Sequence, residues 1–597
     1  MPAAISLLNV VPNNKKNFLT KVIFKLLDRV LAINKLDSLY RENNLHGLDK
    51  TTFAKSLLDG LNIQLQGLEK LQAKIPQTGP LVIASNHPFG GIEGVFLAWA
   101  IEQVRPDIKV MANQGLKIFP ELEGYFIFAN PLSQNDPKNA PSIRTCLKHV
   151  KTGGALLIFP AGRVSYFQKD TKRIADHRWN RLIASIANRT NAHYLPLFVS
   201  GLNSPLFYRL GRIYFRLRML MLPRELVNKR NAKITVTAGE AIAIKHYAKD
   251  ISLDTQTALF RAQSYLLDPD RQNLWPADAV TQLQPLAIEV GGEKILQEVQ
   301  QLPSEQHLLD HKELSVYFGY QHQMPNTVNE IARLRELVFR EHNEGSGEPL
   351  DTDHFDATYT HLFVMQKETG QIIGAYRMGQ TDKLLADGNL DNLYLHRMFD
   401  FGPDFVNRQQ PCLELGRSFL IPEYQRSFQG LFLLWRGIGA FVCQYPQYRT
   451  LYGTVSISKL YDIRSAAVIQ QAMVTPTNKV AARAPFEHTL HPEVKDFTLQ
   501  HGLKDHVSAL LKGIEPDGKD VPILLKHYNK LGAVFHCLGI DRSFNDTPGL
   551  LLSVDLPNAP EKLLKLYMGD GWEEYKNGGS AVGIKSAVEI KSAVDRN

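Results

Sequence analysis

Residues 81–94 read LVIASNHPFGGIEG. The opening LVIA is an apolar run of strand length, and Pro-Phe-Gly-Gly ends it in a turn. A turn accounts for Pro88, Gly90 and Gly91, but it does not call for His87 and Glu93. At the end of a strand, Asn86-His87-Pro88 can expose the imidazole, while the two glycines permit positive φ and close approach of another molecule. Glu93 can then turn back to hold the ring by one nitrogen. The other nitrogen is left to take a proton from a hydroxyl nucleophile, which here would belong to the substrate. On local spacing alone the same residues also read as a turn histidine beside a solvated Glu93.

Outward from this stretch, the first half alternates apolar strands with helical periodicity. Strands are expected at 80–86, 108–113, 155–160, 193–200 and 233–238, with helical segments at 139–151 and 176–189, an α/β pattern. Residues 268–285 are rich in Pro, Asp and Gln and mark a boundary. The second half begins with helices at 293–301 and 327–342. A hairpin follows at 361–379, turning near Thr369-Gly370, then a strand at 412–420, a helix at 428–444 and a strand at 450–457. The expected organisation is an amphipathic region at 1–59, an α/β domain at 60–275, a linker and start of a second domain at 276–320, a second α/β domain at 321–570, and a tail at 571–597. The near-repeat IKSAVEIKSAV in that tail is too short for a repeat architecture.

The chain has 597 residues, 44% hydrophobic and 21% charged, which suits two or more globular domains rather than disorder. Four cysteines, Cys146, Cys412, Cys443 and Cys537, lie far apart without a CxxC pair. That speaks against a disulfide framework or a cysteine-rich metal site, and for a reducing compartment. MPAAISLLNVVPNNKKNF has no basic region ahead of an apolar core and reads poorly as a signal peptide. No run of 18 apolar residues occurs, so no membrane-spanning helix is expected. The net charge of +8 suits an anionic partner. Two stretches concentrate that charge among apolar residues: 17–36, with Lys21, Lys25, Arg29 and Lys35, and 206–224, with Arg209, Arg212, Arg216, Arg218 and Arg224. Both read as amphipathic helices, packed on their own domain or lying on an anionic membrane surface. Residues 206–224, dense in aromatics and arginines, favour the membrane. No helix-turn-helix, RNP-type or finger pattern accompanies the charge, so nucleic acid is not expected as a partner.

Further along, FPAGRVS at 159–165 presents Gly162 and Arg163 in a turn suited to an anionic or carboxylate head group, and LPLFVSG at 195–201 supplies a later strand. The order NHP, FPAGR, LPLFVSG resembles the glycerolipid acyltransferases over roughly residues 60–245. The resemblance implies His87 as general base for O-acyl transfer, Glu93 as its partner, and Gly162 and Arg163 as head-group contacts. The sequence departs from the usual pattern twice. The acid falls at His87-x5-Glu93 instead of x4-Asp, with Ile92 at the usual Asp position, a spacing similar to the branch that acylates aminolipids. Ala161 stands where Glu is usual.

In the second half, Arg335 and Phe339 share a helical face, Glu348, Asp351, Asp353 and Asp356 cluster in GEPLDTDHFD, Arg377 ends a hairpin strand, and Glu414 and Arg417 share ELGRSFL. A carboxylate at a strand end can take the proton that an ammonium must lose before attack. Other carboxylates could bind a second cationic group, and an arginine a substrate carboxylate; equally, such charges can be solvated or ion-paired. The pattern resembles GNAT-fold acyltransferases, among them the acyl-homoserine-lactone synthases. It is most similar to the ornithine-lipid N-acyltransferases, through RLRE, FDATYTHLF, IIGAYRMG, ELGRSF and IEPDGKDVPILL over about residues 285–570. The resemblance implies Glu414 as the catalytic carboxylate and Arg335, Asp353, Asp356, Arg377 and Arg417 as substrate-binding residues. QRSFQGLF at 425–432 places Arg426 and Gly430 at the wrong spacing for a pyrophosphate-cradling loop. An acyl carrier protein with its phosphopantetheine thioester therefore suits the donor better, and no bound cofactor or metal is expected.

Taken together, the two resemblances imply a bifunctional acyltransferase at the cytoplasmic face of a bacterial inner membrane. Its second domain would N-acylate an amino acid, ornithine or similar, with a 3-hydroxyacyl group. Its first would O-acylate the 3-hydroxyl of that product. The alternatives are a synthase releasing a diffusible acyl signal, and a non-enzymatic peripheral lipid-binding protein.

Overall fold

The strand begun at Leu81 is the centre of the first sheet because all five of its residues are buried, as a parallel strand covered on both faces must be. The computed structural model describes residues 5–10, 17–129, 139–271, 274–278, 282–501 and 506–578. They form two compact units: Met1–Asn273 with Thr489–Asp520, and Leu274–His488 with Val521–Asn597.

In the first unit the sheet strands are β1 (Gln64–Gln66), β2 (Leu81–Ser85), β3 (Lys109–Asn113), β4 (Phe126–Ala129), β5 (Ala155–Ile158), β6 (His193–Val199), β7 (Lys233–Ala238) and β8 (Ile242–Ala243). Their order is β1-β7-β6-β2-β5-β3-β4, with β8 on β6. β2 pairs in parallel with both β5 and β6, and the turn beyond its carboxyl end leads into helix α2 (Ile92–Glu102). Helix α1 (Phe18–Val30) is followed by a left-handed Ala32 and a second helix, Ile33–Glu42. The 206–224 stretch is not one helix. Tyr214 is extended, Pro223 starts a new turn, and the chain forms Pro205–Ile213, Phe215–Leu220 and Leu222–Val227.

In the second unit a mixed sheet runs β9 (His307–His311), β10 (Leu314–Gly319), β11 (Thr360–Gln366), β12 (Ile372–Gln380), β13 (Cys412–Leu420), β14 (Thr450–Ser456), then β16 (Thr547–Asp555) and β15 (Val534–Asp541) at the edge. Neighbours are antiparallel except β13 and β14, which run parallel. Helix α3 (Pro325–Glu341) and the helix Phe428–Gln444 belong to this unit. The expected hairpin is β11–β12, with Gly370 at φ 73° in its turn.

The structure differs from the sequence expectation in two further places. Residues 176–181 precede the helix Leu182–Thr190 and are not part of it. Residues 489–520, placed by sequence in the second domain, belong to the first unit. There the helix Pro492–His501 brings Glu493 Oε2 to 2.9 Å from Arg261 and Asp496 Oδ2 to 2.6 Å from Arg173, and Gln263 donates to the Ala509 carbonyl. Pairing across so many residues leaves no local trace. The 580–597 near-repeat lies outside the described residues.

Because the returning segment covers the helix Leu253–Leu266, residues 1–275 expressed alone should unfold at a lower temperature than the same unit in the full chain. The expected difference is about 5 °C or more by thermal denaturation. Adding 489–520 back through a flexible linker should recover it.

Candidate active sites

His87 follows the carboxyl end of β2, and Glu93 lies in the first turn of α2. Glu93 has no exposed surface. Its Oε1 accepts from the Phe89 and Gly90 N–H groups at 2.9 and 2.8 Å, and its Oε2 from Gly91 at 2.9 Å. The PFGG turn thus wraps its own amides around the carboxylate, at a helix N-terminus that favours negative charge. Gly90 has φ 97°, a conformation that favours glycine, and a Cβ there would push on side-chain methyls of Val164 at 2.5 Å and Leu222 at 2.6 Å.

The His87 Nδ1 lies 2.9 Å from Glu93 Oε1, out of line for a strong hydrogen bond and so held chiefly by charge. Phe159 stacks on the ring at 4.6 Å. With Nδ1 turned to the carboxylate, Nε2 is the nitrogen left to accept a proton. Burial pushes the imidazole pKa down, but the Glu93 charge, aided by Asp176, outweighs it and the pKa is raised. Burial likewise opposes the Glu93 charge; His87 and the surrounding amides prevail and bring its pKa down to about 2. The Glu93 carboxylate therefore stays charged across the neutral range and favours the protonated ring, so His87 acts as a base once it has lost that proton. Ile92, at the position where the resemblance would place an acid, is buried on the cavity wall, and the longer Glu93 side chain reaches the ring from the next residue.

The cavity beside His87 has a volume of about 400 Å³ and mostly apolar walls that include Leu116, Phe126, Ile183 and Leu222, dimensions suited to a small-molecule or acyl site. Gly162, with φ 62°, and Arg163 line it too. The Arg163 guanidinium lies 5.8 Å from the Phe215 ring. Sequence reasoning missed Asp176, which has no exposed surface. Its Oδ1 accepts from the His87 N–H at 3.1 Å and the Ser165 hydroxyl at 2.6 Å, and its Oδ2 accepts from Trp179 Nε1 at 2.9 Å. The Ser165 N–H donates to the His87 carbonyl at 2.8 Å. Asp176 thereby joins the histidine turn to the FPAGRVS turn. Apart from Trp179, its partners lie outside RIADHRWN, so nothing in that stretch marks it as a junction.

In the second unit the structure brings together Arg335, Asp353, Asp356, Arg377 and Arg417. Arg335 binds Asp356 in bidentate fashion, both contacts at 3.0 Å, and its Nε lies 3.1 Å from Asp351. Arg377 bridges Asp353, at 2.6 and 3.0 Å, and Asp356, at 3.1 Å. Arg417 has the longest contacts, 3.4 Å to Asp351 and 3.9 Å to Asp353, and lies over the Tyr394 and Phe544 rings at 4.8 and 4.5 Å. Burial opposes charge on Asp356, yet Arg335 and Arg377 hold its pKa below the usual carboxylate range. Three arginines face three aspartates, so the acidic cluster is neutralised from within. Glu348 stands apart, exposed, accepting from Gln284 at 2.7 Å. Glu414 accepts from the Tyr359 hydroxyl at 2.9 Å, the Tyr452 hydroxyl at 2.7 Å and the Leu395 N–H at 3.3 Å. Burial raises its pKa and these donors restrain the rise.

Residues 19–272 match the family described as "Acyltransferase", and residues 334–436 the family described as "Acetyltransferase (GNAT) domain". The chain is thus an acyltransferase enzyme with two acyltransferase domains of different folds. A glycine N(alpha)-acyltransferase of Bacteroides thetaiotaomicron is 29% identical over 265 residues, 40% of this chain and 77% of that protein. A lyso-glycine lipid O-acyltransferase of Phocaeicola vulgatus is 25% identical over 255 residues, 41% of this chain and 86% of that protein. Among solved structures, the 1-acyl-sn-glycerophosphate acyltransferase of Thermotoga maritima is 13% identical with a TM-score of 0.24, covering 40% of this chain and 92% of that one.

Two outcomes test the first site. Since the Glu93 charge raises the His87 pKa, acyl transfer by the first domain should rise with pH through a value above 6.5. Glu93→Gln should move that limb to lower pH and cut kcat about a hundredfold, read from a pH–rate profile. Asp176→Ala, which strands buried donors, should lower stability by about 1–3 kcal/mol in a denaturant titration.

Proposed function

We propose that this chain carries out two successive acylations that build a diacylated amino-acid lipid without phosphorus. The GNAT domain would N-acylate an amino acid with a 3-hydroxyacyl group from the thioester of an acyl carrier protein. The first domain would then acylate the 3-hydroxyl of that product. The observation that carries the reading is His87 on the wall of the apolar cavity, paired through Nδ1 with Glu93 and left with Nε2 as a base. Nε2 takes the proton of the 3-hydroxyl as its oxygen attacks the second thioester; the carbon–oxygen bond forms, the carbon–sulfur bond breaks, and the imidazolium returns the proton to the departing sulfur. Arg163 lines the same cavity, which supports a role for it in binding the acceptor's carboxylate.

For the acceptor amino acid, the sequence pointed to ornithine through its acidic cluster. Mutual neutralisation of Asp351, Asp353 and Asp356 by Arg335, Arg377 and Arg417 leaves that cluster without a spare charge for a second ammonium. This supports an acceptor with a single amine, and two relatives are named for glycine and for a glycine lipid. We therefore propose glycine. Arg417, with the longest ion-pair contacts of the three, is the arginine most open to the substrate carboxylate.

Exposed apolar side chains support a lipid-facing surface on the first unit. Phe18 and Leu26 on α1 are 83% and 62% exposed, and Ile213 and Leu220 are 77% and 54% exposed. Lys21, Lys25, Arg29, Arg212 and Arg216 each lie within three residues of one of them in sequence. Such a face suits peripheral attachment to an anionic bilayer. No described helix is long and apolar enough to cross one.

Expressed in a bacterium that lacks such lipids, the wild type should yield a diacyl glycine lipid by mass spectrometry. His87→Ala should leave the mono-acyl form, and Arg417→Ala should remove both. Full product from His87→Ala would refute the base assignment, and incorporation of labelled ornithine instead of glycine would refute the head-group assignment. Phe18→Ser with Leu26→Ser should reduce sedimentation with phosphatidylglycerol vesicles at least severalfold.

A further inference from the structure

The one parallel pair in the second sheet comes apart. β13 and β14 are paired from Cys412↔Thr450 to Leu415↔Gly453, after which β13 continues to Leu420 against β12 and β14 to Ser456 against β16. Burial changes at the same point. Cys412 to Leu415 are buried, whereas Gly416, Arg417, Ser418, Thr454 and Ser456 are half-buried. A Cβ built on Gly416 would meet nothing within 4 Å, while one on Gly453, in the closed part, would sit 2.4 Å from the Leu415 carbonyl. The two strands therefore open a wedge. Arg417, a non-glycine residue at φ 51°, sits where the pairing of β13 with β12 shifts register.

Glu344 meets this wedge from a third element. Asn343, at φ 57°, ends α3, and the Glu344 N–H bonds back to the Phe339 carbonyl at 2.8 Å. Glu344 is buried, and the stretch that carries it is tied to the end of β14: the Ser458 hydroxyl donates to the His342 carbonyl at 2.6 Å, and the Asn545 side-chain amide donates to the Asn343 carbonyl at 2.9 Å. Ser456 and Arg417 both act electrostatically on its carboxyl. Among the described residues, no Lys, Arg or His nitrogen is ion-paired with its carboxylate. Neighbouring charges are already matched: Arg340 with Glu336 at 2.7 Å, and Lys459 with Asp278 at 2.9 Å. Asp541, which also acts on Arg417, accepts from the Tyr394 hydroxyl at 2.7 Å. Burial pushes the Glu344 pKa up to about 7, with Ser456 and Arg417 restraining the rise, so its carboxyl exchanges protons near neutrality. Glu414, by contrast, lies in the closed part of the ladder opposite Tyr452, its oxygens engaged by three donors.

We propose that Glu344 receives the α-ammonium of the acceptor amino acid in this wedge and takes its proton, while Arg417 holds the α-carboxylate. The assignment rests on the reading of this domain as an N-acyltransferase. One proton passes from the ammonium to Glu344, and the freed nitrogen attacks the thioester carbonyl. The carbon–nitrogen bond forms and the carbon–sulfur bond breaks, with a second N–H proton leaving on the thiol. A zwitterion then spans one cation and one carboxylate, and Glu414 acts as a positioning residue that fixes Tyr359 and Tyr452.

The test is the pH dependence of N-acylation of glycine by the purified full-length chain, with a 3-hydroxyacyl carrier-protein thioester as donor. The wild-type rate should climb through an apparent pKa near 7, as Glu344 loses its proton. Glu344→Gln should lower kcat about a hundredfold and abolish that limb. Ser456→Ala, which removes a group that restrains the rise, should move the limb to higher pH. Folding of the second unit in both variants is read from the thermal unfolding and near-ultraviolet circular dichroism of the full chain, because O-acyl transfer reports the first unit alone. A Glu344→Gln enzyme that makes O-acyl product and keeps the wild-type N-acylation rate and limb would overturn the assignment. A wild-type chain that N-acylates no amino acid, yet acylates the added lipid, would overturn the reading of the domain and this inference with it.

Discussion

A carboxylate with no exposed surface is costly unless donors surround it, and Glu93 meets that condition through three successive amides of the turn that carries His87. The consequence runs outward. Gly90, at positive φ, brings the turn close to the Val164 and Leu222 side chains, and the Ser165 N–H ties the FPAGRVS turn to the His87 carbonyl. Asp176 closes the same junction from the other side by gripping the His87 N–H and Ser165 together. The imidazole is thus held by a buried charge on one nitrogen and presented to the cavity with the other. Its raised pKa comes from that arrangement and not from any property of a histidine at a strand end.

The second domain applies the same constraint differently. Arg335, Arg377 and Arg417 cannot be buried without counter-charges, and Asp351, Asp353 and Asp356 supply them one for one. The network reads as a preorganised frame: it leaves Arg417 with the loosest contacts, at the place where β13 and β14 separate. The Arg417 guanidinium lies over the Tyr394 and Phe544 rings, which hold its orientation there.

Much of this was legible in the sequence. The apolar runs at 155–160 and 193–200 mark strands because strands covered on both faces have little choice of composition, 233–238 alternates as a half-exposed strand does, and 412–420 and 428–444 coincide with a strand and a helix. The His87–Glu93 contact could be anticipated because both residues flank one turn. What was hidden depends on distant partners. Asp176 looked like part of a helix, although its partners, apart from Trp179, lie outside its own segment. The acid cluster at 348–356 looked available because its arginines, at 335, 377 and 417, are scattered along the chain. The return of 489–520 to the first unit, and the approach of Glu344 to Ser456, belong to the same class: packing between remote segments leaves no periodicity to read.

The central claim is that the product of one domain is the acceptor of the other. The most direct measurement offers synthetic N-(3-hydroxyacyl)glycine and its 3-deoxy analogue to the purified Arg417→Ala protein with an acyl carrier-protein thioester, and follows diacyl product by mass spectrometry. The account predicts acylation of the hydroxylated compound alone, lost in the Arg417→Ala/His87→Ala double variant. Equal acylation of the 3-deoxy analogue, or product that persists without His87, would contradict it.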